Sequence, residues 1–288
     1  MKPVIIPHIE FSGKGKFMTD DKDKSAVYQV VYDEAYNYLL SFKEVNEDMI
    51  KRHLDEWKLT KPHTFEDLLL RMFMAISNKQ GMPKTIGKIE NLRPYLEDFD
   101  PKRIIKKYDG DWKKLFYEIE NNHHPNSQMN IDKPNNYWVI FCKGAISSSY
   151  FFSQFQNLEE FKEFVKPFLF NEYTKASLPL LLSKEIFGLG FALACDFLKE
   201  IGYDNYAKPD VHIIAIFYET GISKSKNEYD VFKEVIKFSN FINKSPYEVD
   251  KLFWLVGSGN FYLDKLKIKT NRDEFIEHIK QKYRNILG

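Results

Sequence analysis

A chain of 288 residues with 43% hydrophobic content is long enough to bury a sizeable core, in one large domain or two modest ones. Forty-two Lys and Arg against 41 Asp and Glu leave a formal charge of +1, so global charge neither favours nor excludes nucleic acid, and any attraction must come from a local patch. The two cysteines, Cys142 and Cys195, sit in apolar contexts without CxxC or Cys/His spacing; they read as reduced core thiols, which fits the cytoplasm, and argue against a zinc or cluster motif.

Taken in order, residues 1 to 25 read as an irregular arm, with PVIIPHIEF extended and SGKGKFMTDDKDK an exposed loop. SGKGK lacks the GxxxxGK[ST] spacing of a phosphate-binding loop, and no apolar stretch reaches the length of a signal peptide or a membrane span. Apolar residues at helical spacing then predict helices over Asp33 to Phe42, Glu47 to Trp57 and Thr64 to Ser77. NNHHPNSQMNIDKPNN, 121 to 136, is a loop by its Asn and Pro content, and the adjacent His123 and His124 lack the spacing of paired metal ligands. NYWVIFCKG follows with Tyr137, Trp138 and Phe141, rings that either pack in a core or stack on a base. Further helices are predicted over Leu158 to Phe168 and Asp230 to Asn243. Near the C-terminus, Ser245, Pro246 and Glu248 match an N-cap, a first-turn proline and an N3 acid, opening a helix that Gly257 can close. Capping alone explains WLVGSG, and a ligand role for Gly257, Ser258 and Gly259 is the alternative.

Between these lies IFGLGFALA, 186 to 194. Upstream, LPLLLSKEIF is a short apolar helix; downstream, FALACDFLKEIG puts Ala194, Phe197, Leu198 and Ile201 on one face with Gly202 placed as the C-terminal cap. Two helices joined by GLG make a tight hairpin over about 179 to 202, in which Gly188 takes a positive φ and Gly190 opens the second helix with no side chain over its first amides. Such amides form an anion site, which for DNA would hold a backbone phosphate; a helical hairpin with nothing bound is the alternative. Next, in AKPDVHIIAIF, Asp210 follows Pro209 and precedes an apolar helix, the usual setting of an N-cap.

In order and spacing, FGLGFALA followed by PDVH resembles the helix-hairpin-helix DNA glycosylase superfamily, the group of endonuclease III, MutY and the 8-oxoguanine glycosylases. There an LPGVGRKTA-like hairpin precedes a VDxH element carrying the catalytic aspartate, which places Asp210 on the catalytic acid and Gly188, Leu189, Gly190 and Ala192 on the DNA-binding hairpin. TFEDLLLRMFMAISNKQ, 64 to 80, is similar to the family's opening core helix, so Asn78, Lys79 and Gln80 are candidates to fill the hole left by an extruded base, or simply a polar helix end. The resemblance covers roughly Thr64 to Phe217 with a divergent middle.

It implies an all-α protein of two helical lobes flanking a cleft: a central lobe over 62–205, and a second lobe from 1–61 with 206–288. The implied activity is base excision repair, in which a damaged base is flipped out of double-stranded DNA and its N-glycosidic bond hydrolysed by a monomer in the cytoplasm, at the nucleoid in a prokaryote. Tyr137, Trp138 and Phe141 are then the base-pocket candidates. Bifunctional members carry a lysine two residues after the second hairpin glycine, where this chain has Ala192, 210 − 192 = 18 residues before Asp210. Without that amine no Schiff base forms and water attacks, unless Lys184, Lys199 or Lys208 substitutes. The endonuclease III branch's four cysteines are missing, so no iron–sulfur cofactor is expected; a monovalent cation at the hairpin is the one ion the resemblance allows. The rival readings are a catalytically silent hairpin protein that binds DNA and a helical interaction protein with no DNA role.

Overall fold

Asn, Asp, Ser and Thr recur just ahead of apolar helical stretches in this chain, and they set the starts of most helices. In the computed structural model, which describes residues 21–125 and 127–287, the chain is all-α. Its helices are α1 (Asp21–Leu40), α2 (Glu47–Asp55), α3 (Phe65–Ser77), α4 (Met82–Ile86), α5 (Pro101–Tyr108), α6 (Trp112–Asn122) and α7 (Tyr137–Phe152). They continue as α8 (Leu158–Val165), α9 (Glu172–Glu185), α10 (Phe191–Glu200), α11 (Val211–Glu219), α12 (Glu228–Phe241), α13 (Pro246–Ser258) and α14 (Arg272–Leu287). Two short strands, β1 (Asn260–Phe261) and β2 (Leu266–Lys267), pair antiparallel between α13 and α14.

The helices fall into two units, one continuous from Trp57 to Tyr206, the other made of the described residues up to Glu56 and from Ala207 onward. The continuous unit is built around α7. Trp138, Ile140, Phe141, Cys142, Ala145 and Phe152 are buried on several sides of this helix, as expected of one enclosed by neighbours, and α3, α5 and α6 pack against it. A run of phenylalanines, Phe151, Phe152, Phe155, Phe161 and Phe164, closes that core in edge-on contacts, the geometry that ring quadrupoles favour. In the other unit α13 is the central element, packed by α1, α2, α11 and α12, with Leu252, Phe253, Leu255 and Val256 fully buried.

Local chemistry accounts for the boundaries. Thr64 and Asp67 form a capping box on α3, and Ser245 and Glu248 form one on α13 with Pro246 at its first position. Three expectations are corrected. The first helix begins at Asp21 rather than Asp33, because Val27, Val31, Ala35 and Leu39 continue one buried stripe at intervals of four; PVIIPHIEF and SGKGK lie outside the described residues. The helix before the hairpin begins at Glu172, on a capping box of Asn171 and Thr174, and runs through Pro179, whose missing N–H made the sequence look broken there. The predicted helices ending at Trp57 and Phe168 stop earlier as α-helices, and each tightens into a single 3-10 turn, Glu56–Lys58 and Lys166–Leu169.

Candidate active site and nucleic-acid interface

The hairpin is seated on α7. The amide of Phe187 donates to Ser147 Oγ at 2.9 Å, and the carbonyl of Phe187 lies 2.9 Å from where a Cβ on Gly144 would stand. A methyl at position 144 would therefore lift the hairpin off the helix. Gly188 has φ +80, the left-handed region a turn needs after α9. Gly190 then enters α10 from extended backbone, φ −73 and ψ 167, as an N-cap with no side-chain bond to the first turn and with open space where a Cβ would be. Leu189 is only 2% exposed, so of the hairpin candidates it can offer a ligand its backbone alone. Ala192 is half-buried in the first turn of α10.

The turn after α3 belongs to the same unit. Asn78 caps α3, and its amide nitrogen donates to Asp196 Oδ2 of α10 at 2.9 Å, tying this turn to the hairpin's second helix. Asp196 in turn pairs with Lys199 at 3.3 Å, and both are buried. That ammonium is committed to a carboxylate. The side chains of Lys79 and Gln80 are exposed at the turn, whereas that of Asn78 is already engaged. Tyr137, one of the three ring candidates, donates its hydroxyl to the Gln80 carbonyl at 3.0 Å. Trp138 and Phe141 are fully buried, with Trp138 Nε1 donating to Ser127 Oγ at 2.9 Å; both are core residues and present no face on which a base could stack. Lys184 is exposed in the last turn of α9.

Lys143, which sequence reasoning passed over, stands beside the hairpin. Its ammonium lies 4.8 Å from the ring centre of Trp112 and 5.1 Å from that of Phe187, in cation–π range of both. Among the described residues no carboxylate pairs with it. The signal was nothing more than a polar interruption in an apolar stretch.

In the other unit Asp210 is the N-cap of α11. Its Oδ1 accepts the amides of His212 and Ile213 at 2.9 and 3.1 Å. Burial first, and the neighbouring Asp250 carboxylate second, push the Asp210 carboxyl above its ordinary value; the two amides and His212 pull the other way and are outweighed. Burial holds the His212 ring below its own ordinary value, a direction that Arg272 and Lys267 reinforce and Asp210 opposes, and its Nδ1 is buried without a hydrogen-bond partner among the described residues. Lys208 donates its backbone amide to Asp250 at 2.8 Å.

His212 also explains WLVGSG. The helix α13 runs through Gly257 to Ser258 and is closed by Gly259 in the left-handed region, so Gly257 is not the cap. A Cβ on Gly257 would stand 2.4 Å from His212 Nδ1. Bare backbone at 257 is the seat of the PDVH histidine, a link that separate readings of the two motifs could not make.

Among the described residues no group of His, Cys, Asp and Glu is arranged to hold a metal, and no helix is long and apolar enough to cross a membrane. No protein-family model matches the chain, and no curated protein matches it in sequence. Solved structures do. The 8-oxoguanine glycosylase/lyase of Methanocaldococcus jannaschii in complex with a 15mer DNA containing 8-oxoguanine superposes with a TM-score of 0.51 at 16% identity, over 81% of this chain and 99% of that one. A second structure, of the 8-oxoguanine DNA glycosylase from the same organism, gives 0.51 and 16% over 83% and 96%. The Thermotoga maritima 8-oxoguanine DNA glycosylase overlaps 84% of this chain and 99% of that one at 14% identity, with a TM-score of 0.48. The chain shares the fold of the helix-hairpin-helix 8-oxoguanine DNA glycosylases.

Proposed function

We propose that this chain is a DNA glycosylase of base excision repair, which turns a damaged base out of duplex DNA and hydrolyses its N-glycosidic bond with Asp210 as the catalytic carboxylate. The observation that carries the reading is Asp210 itself: a carboxyl group placed one helix after the hairpin, oriented by two amides and held above its ordinary value by burial. An extruded nucleotide is needed because the bond is inaccessible inside the stack. The uncapped start of α10 offers its amides to a backbone phosphate, Lys143 adds a charge next to it, and Lys79 and Gln80 fill the vacated position.

As the bond breaks, the departing base keeps its electron pair and positive charge develops on C1′ and O4′. The Asp210 carboxylate opposes that charge and takes a proton from the attacking water, whose oxygen forms the new bond to C1′. The proton then leaves for a ring nitrogen of the base. Ala192 at the family's lysine position and the engagement of Lys199 by Asp196 support attack by water over a Schiff base. In this the proposed enzyme differs from the M. jannaschii protein described as a glycosylase/lyase.

The test is incubation with duplexes carrying a panel of damaged bases, 8-oxoguanine first, with abasic sites scored before and after alkali. Excision with strand cleavage only after alkali, and no adduct trapped by borohydride, is the expected result. An adduct would assign the chemistry to a lysine, and binding without excision of any base would leave the silent DNA-binding reading in its place.

A further inference from the structure

The segment that delivers Asp210 is stitched in two steps. The amide of Asp210 donates to the carbonyl of Lys208 at 2.8 Å, closing a short turn around buried Pro209. Proline has no N–H to contribute, so the turn relies on its neighbours for anchorage. The amide of Lys208 donates in turn to Asp250 Oδ2 at 2.8 Å. Asp250 is 1% exposed on α13, and the helix that carries it is fixed on either side of it: by the Ser245 and Glu248 capping box before, and by Lys251 after, whose ammonium is 3.0 Å from Glu56 Oε2.

An asparagine at 250 would accept the same Lys208 amide at no cost of a buried charge. What aspartate adds to that bond is a negative charge whose field acts on Asp210. Resting on the glycosylase reading, we infer that Asp250 is a positioning residue of the site, tethering the turn that aims Asp210 and keeping a second buried carboxylate beside it. The direction in which Asp250 moves the Asp210 carboxyl agrees with this arrangement, since two nearby carboxylates resist being ionised together. Asp210 is thereby a stronger acceptor for the proton of the attacking water. The other groups around it are His212 on its own helix, half-buried Lys208 on the entering turn, and Arg272 and Lys267, whose charges act on His212. The two amides and His212 oppose the influence of Asp250 on Asp210 and are outweighed, while burial holds the His212 ring below its ordinary value.

The experiment uses the full chain as wild type, Asp250→Asn and Asp250→Ala. It combines carbon-13 titration of the Asp210 carboxyl with single-turnover excision from an 8-oxoguanine duplex across pH. With Asp250→Asn, which keeps an acceptor for Lys208 and loses the charge, Asp210 should titrate at lower pH, and the acid limb of the excision profile should move with it. With Asp250→Ala the tether is lost as well, and the plateau rate should fall further, by on the order of tenfold, with duplex affinity unchanged. Asp250→Thr, a smaller neutral acceptor, gives the same comparison if the asparagine variant does not fold. A purely structural Asp250 would lower stability without moving the titration. An Asp210 titration unmoved by Asp250→Asn in a chain that excises overturns this role alone, whereas a wild-type chain that excises no damaged base overturns the reading of the site and this role with it.

Discussion

Helices α10 and α11 begin in nearly the same way and end up with opposite chemistry. Gly190 and Asp210 both enter from extended backbone, at φ −73, ψ 167 and φ −86, ψ −179. At Asp210 a carboxylate fills the helix start and accepts two of its amides. At Gly190 no side chain does so, and the space beyond the Cα is open. A helix start attracts negative charge through its partial positive end and its unsatisfied N–H groups. One start satisfies that demand with the protein's own carboxyl group; at the other no side chain does, which on the proposed reading is where an anion from outside would bind.

The largest expected effect breaks the comparison on the Asp210 side. Asn caps about as well as Asp, so Asp210→Asn keeps both amide bonds and loses the charge. Single-turnover excision should fall by at least on the order of a hundredfold, while affinity for a duplex with an abasic-site analogue stays near wild type. Stability should move the other way. The folded state raises the proton affinity of Asp210, so ionisation penalises folded relative to unfolded chain as pH climbs from the ordinary Asp range through the raised value. At pH 7 the variant, free of that penalty, should melt at or above the wild-type temperature, and the difference should close as pH drops into the ordinary Asp range. Normal excision by the folded variant would remove Asp210 from the chemistry.

The reverse change, Gly190→Asp, gives α10 the cap that α11 has. There is room for the side chain, and an Asp cap is at least as good as Gly, so the fold should hold. The new carboxylate occupies the amides and repels phosphate; losing one charge-assisted contact of about 1.5–3 kcal/mol corresponds to roughly a ten- to hundredfold weaker duplex affinity, equal across sequences. Unchanged affinity would take the hairpin out of the DNA interface.

Gly257→Ala tests how firmly α11 is seated. Alanine improves helix propensity by about 1 kcal/mol, yet its Cβ would lie 2.4 Å from His212 Nδ1 and 2.6 Å from His212 Cβ, and overpacking of that kind costs about 1–3 kcal/mol. The clash should win: thermal melts should show a net loss, and excision should weaken because His212 and Asp210 share the first turn. A variant as stable as wild type would mean the ring moves aside freely.

Much of this was legible because it is local. GLG, the Ser245 capping box, the Thr64 start of α3 and the Asp210 cap each depend on a few consecutive residues, and the structure has Gly188 in the left-handed region and Asp210 on two amides. What was illegible depends on residues far apart in the chain. Gly257 looks like a helix stop until His212 is seen on it, 45 positions earlier (257 − 212). Trp138 and Phe141 have the composition of a base-stacking pair, but enclosure of α7 by its neighbouring helices puts both in the core. Asp250 has no local signature, because its partner amide is 42 positions away.

Lys143 offers the smallest and most quantitative prediction. On the proposed reading the hairpin would attract phosphate through partial charges on amides, which release few counterions, whereas a full ammonium releases about one. Trp112 and Phe187 hold that ammonium beside the hairpin without neutralising it, since rings supply attraction but no countercharge. Lys143→Gln should therefore weaken duplex binding modestly at low salt and reduce the slope of log K against log salt concentration by about one, with excision of a pre-bound substrate unaffected. Gly190→Asp, by contrast, should weaken binding at every salt concentration. An unchanged slope in Lys143→Gln would mean that the aromatic rings hold this cation for the fold alone, and that the phosphate meets the hairpin amides without it.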